Sequence, residues 1–256
     1  MTTHPDHHHF FVVVPYHNEE RGMGATLEAL AAQSDPAFSL VLVDNASTDG
    51  GPIRAAAFAR AHPRLAVHLI REPQKGTGAA ADTGFRYAIA RGARCIARTD
   101  ADCLPRHDWV RNAKRAMCDE GLEFVAGKIY PREDEGRLTR RRRVILALMI
   151  WTAEHYGRLH RRGPKFRYPY FMAAGNNLAI TAELYVRSGG FPRTAIEEAH
   201  EDRVLSESVR TITSRAAVRP DMVVYNSARR VQAYGYLNTL RWYRNHGYKP
   251  AVVDVR

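Results

Sequence analysis

The chain has 256 residues, 45% hydrophobic and 25% charged, with a formal net charge of +11. That length supports one large domain or two small ones, and the composition is that of a globular protein rather than a disordered one. Cys95, Cys103 and Cys118 show no paired spacing and no CxxC, which argues against a disulfide framework or a zinc knuckle and fits a reduced cytoplasmic setting. Residues 10–14 form a β-rich run that Pro15 is expected to stop. Residues 24–32 read as a helix and 40–43 as a second strand. A helix follows over 52–62, opened by a proline suited to a first turn. Residues 65–70 are a third strand, and an alanine-rich helix over 78–91 is closed by Gly92. Residues 95–99 form a fourth strand, and a helix over 109–120 is closed by Gly121. Such β–α repeats predict an α/β fold, a mostly parallel sheet flanked by helices. The second half is less regular. Residues 137–159 look helical, 177–180 extended, and 181–188 a short helix capped by Thr181 and ended by Gly189-Gly190. A helix opens at Glu201-Asp202 and runs to 209, a strand covers 222–225, and a last helix spans 237–246.

The N-terminus has no apolar signal core, so no export signal is expected. His7, His8 and His9 are assigned to a solvated tail over 1–9, and 10–256 to a single domain. The longest dense apolar run, 144–151, is too short to span a bilayer, which needs about 20 residues. The charge is uneven. Ten basic residues lie between Arg137 and Arg167, and only Glu154 opposes them. This segment reads as a solvated face, as a contact for the diphosphate of a ligand, or as a patch for an anionic membrane surface with 144–151 at the interface.

Asp100 and Asp102 follow the fourth strand. In an extended chain, residues two apart point the same way, and paired hard oxygens suit a divalent cation that also holds diphosphate oxygens. Acidic pairs are also common in surface turns, so the neighbours decide. Segments 15–20, 44–50 and 100–102 all follow strands, and ligands of parallel sheets bind beyond the carboxyl ends. Gly76, Gly78 and Ala81, with Asp100 downstream, match a dinucleotide fingerprint. That motif needs its glycines directly after a strand, and residues 71–75 intervene. Glu201 and Asp202 also suit a helix N-terminus for electrostatic reasons alone.

Seven pieces occur in order: Pro15-Tyr16-His17-Asn18-Glu19-Glu20; Asp44-Asn45-Ala46-Ser47-Thr48-Asp49-Gly50; Lys75 through Gly78 and Asp82 to Gly84; Asp100-Ala101-Asp102; Gly175-Asn176-Asn177; Gly189-Gly190-Phe191; and Glu201-Asp202 with Leu205. Together they resemble the family 2 glycosyltransferases over about residues 10–245. The resemblance implies a GT-A fold, with a nucleotide-sugar half over 10–130 and a mixed-sheet acceptor half with the catalytic base over 131–256. It implies a nucleoside diphosphate sugar donor, a UDP-sugar first among them, and inverting transfer of one sugar to a hydroxyl acceptor, lipid-linked or a cell-envelope glycan precursor.

By the same resemblance, Pro15, Tyr16, Asn18, Glu19, Asp44 and Asn45 border the base and ribose. Many relatives carry aspartate where this chain has Asn45. Lys75, Gly78 and Asp82 belong to the diphosphate side. Asp102 is the ligand of Mg²⁺ or Mn²⁺, and Asp100 touches the ribose or a metal-bound water. Gly175, Asn176 and Asn177 lie on the acceptor side. Asp202 is the general base, supported by Glu201. Arg241 and Trp242 stand where processive relatives carry Gln-x-x-Arg-Trp, with Asn238 for the glutamine. They serve the diphosphate and an acceptor sugar, or Trp242 simply packs in the core. Processive relatives that export polymer also carry membrane helices, which favours single-sugar transfer here. The expected location is cytoplasmic, peripheral at the inner face of the membrane.

Two other readings stand beside this one. A sugar-nucleotide nucleotidyltransferase shares the architecture but usually shows a glycine- and arginine-rich signature after the first strand, which 15–20 lacks. A basic nucleic-acid-binding protein fits a pI near 9.9, but no binding module is recognisable, and nucleic acid is not an expected partner.

Overall fold

The structure is a computed structural model that describes residues 9–132, 134, 144, 148, 151–152, 158, 163–193, 200–227, 229, 235 and 238. Eight strands form one sheet: β1 (Phe10–Tyr16), β2 (Ser39–Asp44), β3 (Ala66–Arg71), β4 (Cys95–Arg98), β5 (Cys103–Pro105), β6 (Phe124–Pro131), β7 (Leu178–Thr181) and β8 (Ala216–Asn226), in the order β3-β2-β1-β4-β7-β6-β8-β5. Strands β1 to β4 are mutually parallel, while β7 runs antiparallel to both β4 and β6.

Among the described residues, six continuous α-helices connect or cover these strands: α1 (Met23–Ala31), α2 (Gly51–Ala61), α3 (Thr77–Ala90), α4 (Trp109–Lys114), α5 (Ala182–Ser188) and α6 (Glu201–Ile212). The central strands are apolar on both sides. On β1, Phe10, Val12, Val14 and Tyr16 join the core under α1, α2 and α4, and Phe11 and Val13 join the core under α3, α5 and α6. This two-sided burial is the reason these strands read as continuous apolar runs.

Several expectations are corrected. Strand β1 passes through Pro15 to Tyr16. Asn45 N–H donates to the Tyr16 carbonyl and Thr99 N–H to that of Val13, so odd-numbered residues of β1 face β4. The pairing with β4 ends at Val13–Arg98, so the missing N–H of Pro15 removes no ladder bond. Strand β8 likewise passes through Pro220, which falls where its pairing with β6 jumps from Arg219–Gly127 to Val223–Lys128. Strands β5 and β6 were not expected. The helix over 109–120 is α only to Lys114, and a π turn covers Arg115–Asp119. His9, assigned to the tail, is held in place: its Nδ1 lies 3.2 Å from the Gly92 carbonyl, and its own carbonyl accepts from the N–H groups of Arg94 and Cys95. Thr181 caps α5 as predicted, accepting from Leu184 N–H at 3.3 Å, and Gly189 ends it in a left-handed conformation.

Of the basic segment, only Val144, Leu148, Trp151, Thr152, Arg158 and 163–167 are described. The first five are helical and exposed. Residues 1–8 and Arg241 and Trp242 lie outside the described residues. Among the described residues, no helix is long and apolar enough to cross a membrane.

Candidate active site

Parallel pairing brings the exits of β1, β2 and β4 to one edge of the sheet. Because β7 is antiparallel, the turn that precedes it, 175–177, arrives at the same edge beside Arg98, which pairs with Leu178. Strands β6 and β8 also end there, with Pro131 opposite Asn226 and Asn226 opposite Cys103.

The β1 and β2 exits are laced together. Asn18, with φ +52°, donates its N–H to Ser47 Oγ at 3.0 Å and accepts from Thr48 N–H at 2.8 Å. Asp44 Oδ1 accepts from Ser47 N–H at 2.9 Å. Asn45 is buried and pins the next loop. Its Nδ2 donates to the carbonyls of Glu72 and Gln74 at 3.1 and 2.7 Å, and its Oδ1 accepts from Gly76 N–H at 2.9 Å. Asn45, expected beside the base and ribose, thus builds the loop, which a carboxylate without N–H donors cannot do in the same way. Tyr16 is buried beneath Gly51, and burial, with Asp44 and Asp49 nearby, raises its phenol above the ordinary tyrosine range.

The loop into α3 divides by role. Lys75 is exposed at the rim. Gly78 packs α3 against the other half of the chain: a Cβ there would lie 2.2 Å from the Pro192 carbonyl oxygen and 3.2 Å from Glu201 Cβ. Asp82, expected on the diphosphate side, is instead completely buried. It accepts from Tyr185 Oη at 2.9 Å and Arg86 Nε at 2.8 Å, with Arg193 Nη1 at 3.3 Å. Arg193 also donates to Glu72 Oε2 at 2.7 Å and to Thr83 Oγ1 at 2.9 Å. Glu72 is held below the usual carboxylate range: burial pushes it up, but hydrogen bonds from Thr83, Arg193 and Gln74 outweigh that.

At the β4 exit, Arg98 is 1% exposed. Its Nη2 lies 3.2 Å from both Asp100 Oδ1 and Glu201 Oε1, and its guanidinium stacks over Phe191 at 5.1 Å. Burial opposes its charge, but Asp100, Glu201 and Asp202 outweigh burial and keep it protonated. Glu201 and Asp202 open α6. Asp202 Oδ2 accepts from Gly175 N–H at 3.1 Å, and its Oδ1 from Arg203 N–H at 2.7 Å. Burial drives both carboxyls above their ordinary range, against the pull of Arg98 and, for Asp202, of the Gly175 N–H. A carboxylate whose pKa is raised is a stronger proton acceptor, as general-base work requires. Asn176 Oδ1 is buried with no hydrogen-bond partner among the described residues. Asn177, expected beside it on the acceptor side, is fully buried. It accepts from Trp109 Nε1 at 2.8 Å and donates to the carbonyls of Lys128 and Met222, so it braces the sheet.

Asp102 keeps 28% of its side chain exposed. Arg229 Nη2 lies 3.4 Å from its Oδ2 and 3.0 Å from Glu19 Oε2. Among the described residues, no group of three or more His, Cys, Asp or Glu side chains could hold a metal ion. A partly open carboxylate at this edge of the sheet nevertheless suits Mg²⁺ or Mn²⁺, which are held by one or two carboxylates together with substrate phosphates. Sequence reasoning missed Arg98, Arg193 and Arg229. The available signal was Arg98 itself, a charge in the otherwise apolar run Cys95-Ile96-Ala97.

Residues 11–184 match the model of glycosyl transferase family 2. The chain belongs to that family. Glycosyltransferase AglE of Haloferax volcanii is 30% identical over 125 residues, which are 47% of this chain and 40% of AglE. The mannosyltransferase PcManGT of Pyrobaculum calidifontis, solved in complex with GDP-Man and Mn²⁺, superposes with a TM-score of 0.67 at 25% identity, over 91% of this chain and 60% of its own. TarS 1-349 of S. aureus superposes with a TM-score of 0.63 at 16% identity, over 90% of this chain and 64% of its own, and establishes likeness of fold alone. The open mixed sheet flanked by helices is the GT-A fold. This family 2 chain thus spans less than two thirds of the relatives it resembles. The family match ends before Glu201 and Asp202, so the pair is tied to the site by its geometry.

Proposed function

We propose that this family 2 chain is an inverting glycosyltransferase that moves one sugar from a nucleoside diphosphate sugar to a hydroxyl acceptor. The observation that carries this reading is the meeting of Asp202 with the donor edge: Asp202 bonds to Gly175 N–H, and its neighbour Glu201 shares Arg98 with Asp100. In the reaction, the acceptor O–H proton passes to Asp202. The acceptor oxygen bonds to the anomeric carbon from the face opposite the leaving group. The bond from that carbon to the diphosphate oxygen breaks, and nucleoside diphosphate departs.

Asn18, Glu19 and Asp44 line the nucleoside end, with Asn45 holding the loop that carries Lys75 and Gly78. Asp100 faces the ribose. Asn176, whose amide oxygen has no partner among the described residues, faces the acceptor. Asp102 would hold the divalent ion, with Glu19 beside it. Such an ion neutralises the charge of the leaving diphosphate. The Mn²⁺ and GDP-Man of the mannosyltransferase complex support a divalent ion and a nucleotide-sugar donor, and the UDP-GlcNAc of a TarS complex accords with such a donor. They leave GDP- and UDP-sugars both in play.

The test is a thermal-shift screen of GDP-mannose and UDP-N-acetylglucosamine with and without Mn²⁺, followed by product analysis. Binding of a donor raises the melting temperature by mass action. Release of nucleoside diphosphate supports the reading, and release of inorganic diphosphate points instead to a nucleotidyltransferase. The acceptor class, including a lipid-linked one, is addressed by salt-sensitive binding to anionic liposomes. Its absence would remove the membrane component.

A further inference from the structure

We propose that Arg98 is a positioning residue that fastens the donor-side carboxylate Asp100 to the base-bearing start of α6, so that both halves of the site move as one body. The inference rests on the reading given under Proposed function. Asp100 and Glu201 are 101 positions apart in the sequence. They come from different halves of the fold, and one guanidinium nitrogen lies 3.2 Å from each.

Three features fix the guanidinium in place, although its buried Nη1 has no hydrogen-bond partner among the described residues. Phe191 covers one side at 5.1 Å. Gly175 supplies another: a Cβ there would stand 2.9 Å from Arg98 Cζ and Nη1, so the absence of a side chain at 175 is what admits the group. The third is burial. At 1% exposure, a guanidinium away from water requires fixed partners, and removing one partner of a buried ion pair leaves an uncompensated charge. Gly175 closes the circuit, because its N–H also bonds to Asp202 Oδ2. A shift of Arg98 is therefore transmitted to the base by two routes, through Glu201 next to it in sequence and through the 175–177 turn.

The planar fork matters here. Nε, 3.3 Å from Asp100 Oδ1, and Nη2 together set the direction of the pair, whereas lysine offers one point charge. Arg98 touches no reacting atom, so its removal acts on the alignment of bound reactants rather than on donor affinity. Misplacement of about 1 Å is enough to cost about 100-fold in rate.

The experiment compares wild type, Arg98→Lys, Glu201→Gln and the double variant, using the full chain, GDP-mannose or UDP-N-acetylglucosamine, and Mn²⁺. Release of nucleoside diphosphate gives kcat and KM for the donor. Each single variant is expected to lower kcat by about 10- to 100-fold with donor KM within about 3-fold. The double variant is expected to fall within about 3-fold of the worse single, because both changes break one linkage. Multiplicative losses, a rise in KM alone, or a kcat within about 2-fold of wild type in either single variant overturns the proposal. If Arg98→Lys does not fold, Glu201→Gln decides by the same kcat criterion. A wild-type chain that neither binds nor cleaves either donor overturns the glycosyltransferase reading, and this inference with it. An active wild type with additive variants overturns only this inference.

Discussion

Arg229 bridges Glu19 and Asp102, with Nη2 3.0 Å from Oε2 of the former and 3.4 Å from Oδ2 of the latter. A cation already stands at the carboxylate assigned to the divalent ion. Arg229→Ala is therefore expected to tighten Mn²⁺ binding in the absence of nucleotide by about 3- to 10-fold, since one competing charge at short range is removed. Titration calorimetry or the Mn²⁺ paramagnetic signal reads this directly. Unchanged or weaker affinity would show that the arginine does not compete for the site.

Asp202→Asn tests the base. Loss of a positioned general base costs about 100- to 10,000-fold. Transfer should fall by that factor while the donor-induced rise in melting temperature persists. Near-normal turnover in the variant would move the base elsewhere.

The same substitution has a stability signature. Burial raises the Asp202 pKa, so the native state binds more protons than the unfolded state between the ordinary aspartate value and the raised one. Stability contributed by this group therefore declines as pH rises through that window, and the charged form is disfavoured above it. Asp202→Asn should melt higher than wild type at neutral pH. The gain should shrink as pH falls towards the ordinary aspartate range. A gain independent of pH would refute the cause given.

Gly78→Ala places a methyl 2.2 Å from the Pro192 carbonyl oxygen, a backbone atom with little freedom to yield. Overpacking of this kind costs about 1–3 kcal/mol. Chemical denaturation should report that loss. Turnover should also fall, because α3 and the start of α6 are forced apart at Glu201.

Asn45→Asp removes the donors to the Glu72 and Gln74 carbonyls and sets a charged oxygen against them. A loss of about 1–3 kcal/mol is expected from the unpaired buried carbonyls. A variant as stable as wild type would mean that the loop is held by its other bonds.

The first half of the fold was largely legible, because its continuous apolar strand runs alternate with helical segments bounded by glycine and proline. Proline was over-read at Pro15, since whether a missing N–H matters depends on which neighbour that N–H would face. Strand β5 is only three residues long, too short to show a period. At the site, the order of acidic motifs was legible, but Asp82 and Asn177 were not separable from ligand-binding residues. The polar groups that bind a substrate are also those that hold a core together, and only burial distinguishes them. Arg98, Arg193 and Arg229 work through contacts 103, 121 and 210 positions apart, beyond the reach of any local pattern.

The reversal of β7 changes which connections the ligand edge can recruit. Along a parallel series, the edge receives only the segment that leaves each strand. A reversed strand offers the segment that enters it, and so the turn at 175–177 reaches the same rim as the exits of β1, β2 and β4. Under the proposed function, specificity for the acceptor can then diversify in chain that lies before β7, while the four strands assigned to the donor keep their register.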